Sequence, residues 1–143
     1  MRESQHGRDG PDRAAEKRRN RYSVVVTPDP MAFSKQWVDA WNAHDVESVL
    51  ARFHDDVVFS SPVAARLLPE SGGVVRGKPA LRRYWTEALR RIGDLRFVVD
   101  AVYQGIDTLV IVYRNQDDDL VSEILRFRGD VVIEGHGTYI VAA

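Results

Sequence analysis

Two side chains in the last third of the chain have the types and surroundings for proton chemistry. In Leu120–Phe127, residues Val121, Glu123, Leu125 and Phe127 fall on one face of an extended segment, and Ser122, Ile124 and Arg126 on the other. A carboxyl set among Val, Leu and Phe is desolvated, which disfavours its charged form and prepares it to exchange protons near neutrality. In Val131–Val141, His136 stands between Gly135 and Gly137 in an otherwise β-branched run. Glycines there leave room for close approach by a ligand or another backbone, and imidazole is the natural acid-base group at neutral pH. If Glu123 and His136 converge on one pocket, they form a carboxylate–imidazole pair able to polarise or deprotonate a carbonyl compound. The plainer alternatives are a buried or interfacial glutamate held by a Trp or backbone donor, and a satisfied histidine of the sheet. Glu134, on the His136 face, reads as a rim residue or salt-bridge partner.

Flat walls are available for such a pocket. Trp37, Trp41, Tyr84 and Trp85 lie on two helical segments that pack on the same sheet, as core residues or as pocket lining. Tyr113 shares a strand face with Leu109, Ile111 and Asn115, the last being either a hydrogen-bonding group for a ligand or a shaper of the next turn. Other chemistries lack their residues. The chain has no Cys, so thiolate metal sites, disulfides and a Cys nucleophile are excluded. His6, His44 and His54 do not have metal spacing, Asp117–Asp119 reads as a solvated hairpin tip, and no Gly-x-Ser-x-Gly elbow or phosphate-cradling loop is present. Neither a metal nor a cofactor is expected.

The elements that must position these residues follow from periodicity. The chain has 143 residues, 44% of them hydrophobic, enough for one well-buried domain. Asp29-Pro30 opens a helix whose apolar stripe is Phe33, Trp37, Val38, Ala40 and Trp41. Asn42-Ala43-His44 ends it, and Asp45 caps a second helix with Val46, Val49, Leu50 and Phe53 inward. His54-Asp55-Asp56 reads as a turn and Val57–Ser60 as a strand. The Pro- and Gly-rich run from Pro62 to Gly77 reads as a loop over a site. Lys78-Pro79 opens a third helix, and four strands follow: Leu95–Tyr103, Thr108–Gln116, Leu120–Phe127 and Val131–Val141. Residues 1–28, dense in Arg, read as a flexible basic extension, with Met31 an alternative start; residues 29–143 form an α+β domain.

The 20 basic and 21 acidic residues nearly balance, which argues against nucleic acid or anionic lipid as a partner. No apolar run is long enough to span a membrane, and no signal peptide is evident, so a cytoplasmic protein is expected. Arg far outnumbers Lys, a bias of GC-rich bacterial genomes. Val98, Val110, Val112, Ile124 and Val131 make the second sheet face apolar as well, which predicts a homodimer through that face.

The runs WVDAWNAHDVESVLARFHDDVVFSSP, VRGK and FRGDVVIEGHGTY resemble the SnoaL-like branch of the nuclear transport factor 2-like superfamily, over roughly Met31 to Tyr139. The resemblance implies a cone-shaped α+β barrel, with three helices on a strongly curved, mostly antiparallel sheet around an apolar ligand pocket, and a dimer through the outer sheet face. Ketosteroid isomerase, from the same superfamily, implies a register for the pocket. Its first-helix tyrosine falls on Trp37, its general-base aspartate on Ser61 and its second acid on Glu123. Trp37 has no phenol, and Ser61 cannot abstract a proton at neutral pH without a base of its own, so that enzyme's mechanism does not carry over. The resemblance leaves two readings open. One is a cofactor-independent isomerase, cyclase or dehydratase acting on an apolar carbonyl-bearing ring compound, with Glu123 and His136 catalytic and Trp37, Ser61, Tyr84, Trp85, Tyr113 and Asn115 binding substrate. The other is a non-catalytic ligand-binding or dimerisation module.

Overall fold

The computed structural model describes residues 28–143 and Arg13; the expected extension over 1–28 otherwise lies outside the described residues. Helix α1 (Pro30–Asn42) begins where Asp29 accepts a hydrogen bond from the Ala32 N–H at 2.9 Å and Pro30 supplies a ready-made helical φ. It buries Phe33, Trp37, Ala40 and Trp41 along one stripe. Helix α2 (Val46–Leu50) starts in the same way, with Asp45 accepting from the Ser48 N–H.

Between them, Asn42 and His44 are tied to a distant segment. The Asn42 side chain donates to the Phe97 carbonyl (2.9 Å) and accepts from the Phe97 N–H (2.7 Å). His44, in the left-handed region at φ 56°, donates through Nε2 to the Leu95 carbonyl at 2.8 Å. For this reason β3 begins at Val98 and not at Leu95: the preceding residues pair with the helix end instead of a strand.

Strand β1 (Phe53–Ser60) starts four residues earlier than expected, but its register breaks between Phe53 and Val58, so His54-Asp55-Asp56 interrupts the pairing without ending the strand. The Pro62–Gly77 segment is ordered and not a plain loop. It holds helix α3 (Pro62–Leu67), a single 3₁₀ turn (Pro69–Ser71) and strand β2 (Val74–Arg76), which pairs antiparallel with β1. Helix α4 (Lys78–Arg91) then turns Leu81, Tyr84, Trp85 and Ala88 inward.

Strands β3 (Val98–Gln104), β4 (Thr108–Arg114), β5 (Leu120–Arg128) and β6 (Val131–Tyr139) form the expected antiparallel meander. The six strands lie in the order β2-β1-β6-β5-β4-β3, with only the β1–β6 contact parallel. The result is an α+β fold with a curled, mostly antiparallel sheet. Its inner face is an aromatic core: Trp85 meets Trp41, Phe53 and Phe59 edge-on at 4.9, 5.2 and 5.5 Å. A ring system burying roughly 200 Å² contributes on the order of 5 kcal/mol, so these contacts fix where the helices sit on the sheet.

Candidate active site

Glu123 sits mid-strand on the inner face of β5, in register with Ile111 on one side and Gly137 on the other. It is only 6% exposed. Its Oε2 accepts a hydrogen bond of 3.3 Å from the Tyr113 hydroxyl. Burial pushes the carboxyl up to about 7, and the Tyr113 hydrogen bond opposes that rise. The Tyr113 ring is wedged against Phe97 and Trp37, with centroids at 4.3 and 5.2 Å, so its hydroxyl has little freedom to leave the carboxyl. Burial, and then the charge of Glu123, hold the Tyr113 phenol well above its usual range; it is a donor at any physiological pH.

Three more hydroxyls gather nearby. Ser61 closes β1 and caps α3, its Oγ accepting from the Val63 N–H at 3.1 Å. Tyr84 of α4 and Tyr139 at the end of β6 line the same cavity beside Ser61. Burial raises both phenols, Tyr139 to about 12, and the Ser61 contact opposes each rise. Gly137 lies between this cluster and the carboxyl. A Cβ there would come 3.5 Å from Ser61 Oγ and 3.6 Å from Glu123 Oε2. These groups line a cavity of about 70 Å³ walled by Trp37, Trp41, Tyr84 and Trp85. Val63, Ile92, Asn115, Gln116 and Tyr139 also line an outer vestibule of about 610 Å³, and so form the neck between the two spaces. Among the described residues no group of three or more His, Asp or Glu side chains is placed to hold a metal ion.

Residues 34–140 match the SnoaL-like domain family. This chain belongs to that family. It is similar to a SnoaL-like protein of unknown function from Burkholderia thailandensis E264, at 35% identity and a TM-score of 0.76, over 82% of this chain and 99% of that one. More distant likenesses in fold include TerC, crystallised with polyporic acid (12% identity, TM-score 0.64, 78% and 91% covered). Another is a putative ketosteroid isomerase from Kribbella flavida DSM 17836 (16% identity, TM-score 0.59, 78% of each chain). No curated protein sequence matches. No helix among the described residues is long and apolar enough to cross a membrane.

Within this SnoaL-like fold, seven of the eight sequence-derived candidates meet around one cavity: Glu123, Trp37, Ser61, Tyr84, Trp85, Tyr113 and Asn115. His136 does not. It pairs with Ile124 and lies on the outer face, where Nδ1 is 2.5 Å from Ser60 Oγ and Nε2 donates to Glu134 Oε1 at 2.8 Å. Arg126 completes that group, with two nitrogens on Glu134 Oε2. The cause of the separation is a β-bulge. From the turn, Arg128 pairs with Val131 and Phe127 with Val132, a register that would put Glu123 opposite His136. Arg126 pairs instead with Glu134, so β6 carries one extra residue and every later side chain changes face. The carboxylate–imidazole pair therefore does not form within the chain.

The two glycines beside His136 have different reasons. A Cβ at Gly135 would lie 2.9 Å from the Phe59 ring, so that glycine serves packing, whereas a Cβ at Gly137 would make only ordinary van der Waals contacts with Ser61 and Glu123. Asn115 uses its Oδ1 on the hairpin, accepting from the N–H groups of Asp117 and Asp119 at 3.0 Å each, while also standing at the neck. Tyr139 and Phe97 were missed as cavity residues. Strand parity with Gly137 was the available signal for Tyr139; Phe97 left none, because its place depends on the Asn42 contact.

Proposed function

We propose that the protein is a cofactor-independent small-molecule enzyme in which Glu123 transfers a proton on an apolar, carbonyl-bearing ring compound. The observation that carries this reading is a buried carboxyl facing a cavity, with one phenol as its hydrogen-bond partner and a second set of hydroxyls across a gap. As a carboxylate, Glu123 takes a proton from the carbon beside the carbonyl. The C–H electron pair shifts onto the carbonyl oxygen, giving an enolate, and hydroxyl donors near Ser61 stabilise that charge. The protonated Glu123 then returns the proton to a different carbon, which completes an isomerisation, or to a leaving hydroxyl, which completes a dehydration. With His136 outside the cavity, acid and base duties fall to one carboxyl.

The test is turnover on a panel of cyclic enones and hydroxy-ketones, together with exchange of their α-hydrogens in D₂O. Wild type should catalyse exchange and Glu123→Gln should not; exchange retained by the variant removes Glu123 from the chemistry. The second reading, a binding module, is favoured by the small inner cavity and by the separation of Glu123 from His136, and predicts ligand binding with no exchange at all.

We further infer a homodimer through the outer sheet face. Val98 and Tyr103 are 54% and 62% exposed, and Val110 and Ile124, cross-strand partners, are half-buried beside them. An Ile124→Arg change should convert a dimer to a monomer in light scattering; a wild-type monomer at micromolar concentration refutes the interface.

A further inference from the structure

The outer face of the sheet carries a connected polar group that the cavity does not use. Parallel pairing of β1 with β6 sets Ser60 directly opposite His136, and Glu134 stands two residues before His136 on the same face. Ser60 Oγ lies 2.5 Å from His136 Nδ1, and His136 Nε2 lies 2.8 Å from Glu134 Oε1. Hydrogen bonds from His136, then from Arg126, hold the Glu134 carboxyl below its ordinary range, so near neutrality it is ionised and only accepts. Nε2 must then carry the imidazole proton, which leaves a lone pair on Nδ1 facing the Ser60 hydroxyl. The hydroxyl donates to that lone pair. Hydroxyl, imidazole and carboxylate in this order activate a serine, and such a set is recognised by geometry and roles on any fold.

The surroundings suit an acyl group. The side chains of His136 and Glu134 are 36% and 37% exposed, so a substrate reaches them from solvent. Val74 of β2, the cross-strand partner of Ser60, is an exposed apolar seat beside the hydroxyl. Arg76 faces the same way, is exposed, and makes no ion pair or hydrogen bond through its side chain among the described residues. Diagonal neighbours on a sheet stand roughly 7–8 Å apart, within the span of an arginine, so its guanidinium can meet negative charge formed over Ser60. Strands β6 and β5 separate β1 from β4 and β3, so a dimer centred on Val98, Tyr103 and Val110 leaves the β1 end of the face open.

We propose that Ser60, His136 and Glu134 form a second, nucleophilic site on the outer sheet face, which takes esters or thioesters of small apolar carboxylic acids and transfers their acyl group to Ser60. Ser60 Oγ attacks the carbonyl carbon and gives its proton to His136 Nδ1. Glu134 holds the resulting imidazolium, and Arg76 faces the oxyanion. When the intermediate collapses, the bond from carbon to the leaving oxygen or sulfur breaks, and that atom takes the proton from Nδ1. Water then attacks the acyl–Ser60 ester, its proton passes through Nδ1 to Ser60 Oγ, and the carboxylic acid departs. The site shares no residue with the Glu123 cavity and stands or falls separately.

The probe is p-nitrophenyl acetate, with p-nitrophenolate release followed by absorbance and acid-quenched samples mapped by peptide mass spectrometry. Wild type should carry an acetyl group on the peptide that holds Ser60, and Ser60→Ala should not. His136→Gln keeps the hydroxyl and should acetylate about a hundredfold or more slowly, Glu134→Gln about tenfold or more slowly, each at a melting temperature near that of wild type. Arg76→Gln should slow the step about tenfold with the adduct still on Ser60. No acetyl group on Ser60 in wild type overturns the proposal, as does a wild-type rate in either His136→Gln or Glu134→Gln. A wild-type rate in Arg76→Gln overturns the oxyanion contact.

Discussion

Replacing Glu123 by glutamine isolates the energetic consequence of burying an acid. The folded carboxyl has its pKa raised from 4.5 to about 7 by burial. Below the lower value both folded and unfolded chains are protonated there, and the group contributes nothing to pH dependence. As pH rises from about 4.5, the unfolded chain releases its proton while the folded one keeps it, and stability falls by about 1.4 kcal/mol per pH unit. The loss levels off above about 7, where both forms are ionised. Integrated across the window, it amounts to about 3 kcal/mol. Glutamine has the same shape, can still accept from the Tyr113 hydroxyl, and carries no charge to desolvate. The two proteins should therefore melt together near pH 4, and the variant should melt about 10 °C higher near pH 8, taking about 4 °C per kcal/mol for a domain of this size. Scanning calorimetry of both proteins across that range reads the difference directly, with all other titrating groups cancelling. A gap that does not change with pH, or a variant less stable at pH 8, refutes the reasoning, since it would mean the carboxylate is stabilised by a partner and not strained by burial.

Tyr113→Phe removes the hydrogen bond that lowers the Glu123 pKa, so the midpoint should rise, seen as a shift of the pH–stability difference or of any pH–rate profile toward higher pH. Asn42→Ala strands the Phe97 N–H and carbonyl, and should cost about 2–3 kcal/mol in urea unfolding. It should also change the tryptophan emission, because Phe97 packs on Trp37 and Trp41. Gly135→Ala should cost about 1–3 kcal/mol by driving a methyl into the Phe59 ring, while Gly137→Ala should be near neutral in the same assay.

Much of the fold was legible because its signals are local. Pro30 and Pro79 open helices, the stripe of Phe33, Trp37 and Trp41 repeats at helical spacing, and Val121, Glu123, Leu125 and Phe127 alternate as a half-buried strand must. The strand face of Glu123 could be read from its own neighbours for that reason. The partner across the sheet could not. Register between β5 and β6 depends on a single extra residue near Ile133, and nothing in FRGDVVIEGHGTY announces a bulge: strict alternation from the buried Val132 sends Glu134 and His136 inward, where the structure sends them out. The Pro62–Gly77 segment failed for a different reason. Its proline and glycine content reads as loop, but Ser61 followed by Pro62 is also a helix cap and first turn, and Val74–Arg76 gains strand geometry only by pairing with β1.

The contact between Asn42 and Phe97 has a meaning for how relatives of this chain can be read. A side-chain amide that both gives and takes a hydrogen bond with one residue imitates a neighbouring strand, so α1 is spliced to the start of β3 as though by a peptide. His44 adds a second stitch to Leu95. The Asn-Ala-His-Asp run is therefore a joint in the frame, holding the wall that carries Phe97 against Trp37 and Tyr113. In the proposed function the chemistry belongs to other residues, Glu123 with the hydroxyls beside Ser61, none of which takes part in the joint; two chains sharing the joint need share no chemistry.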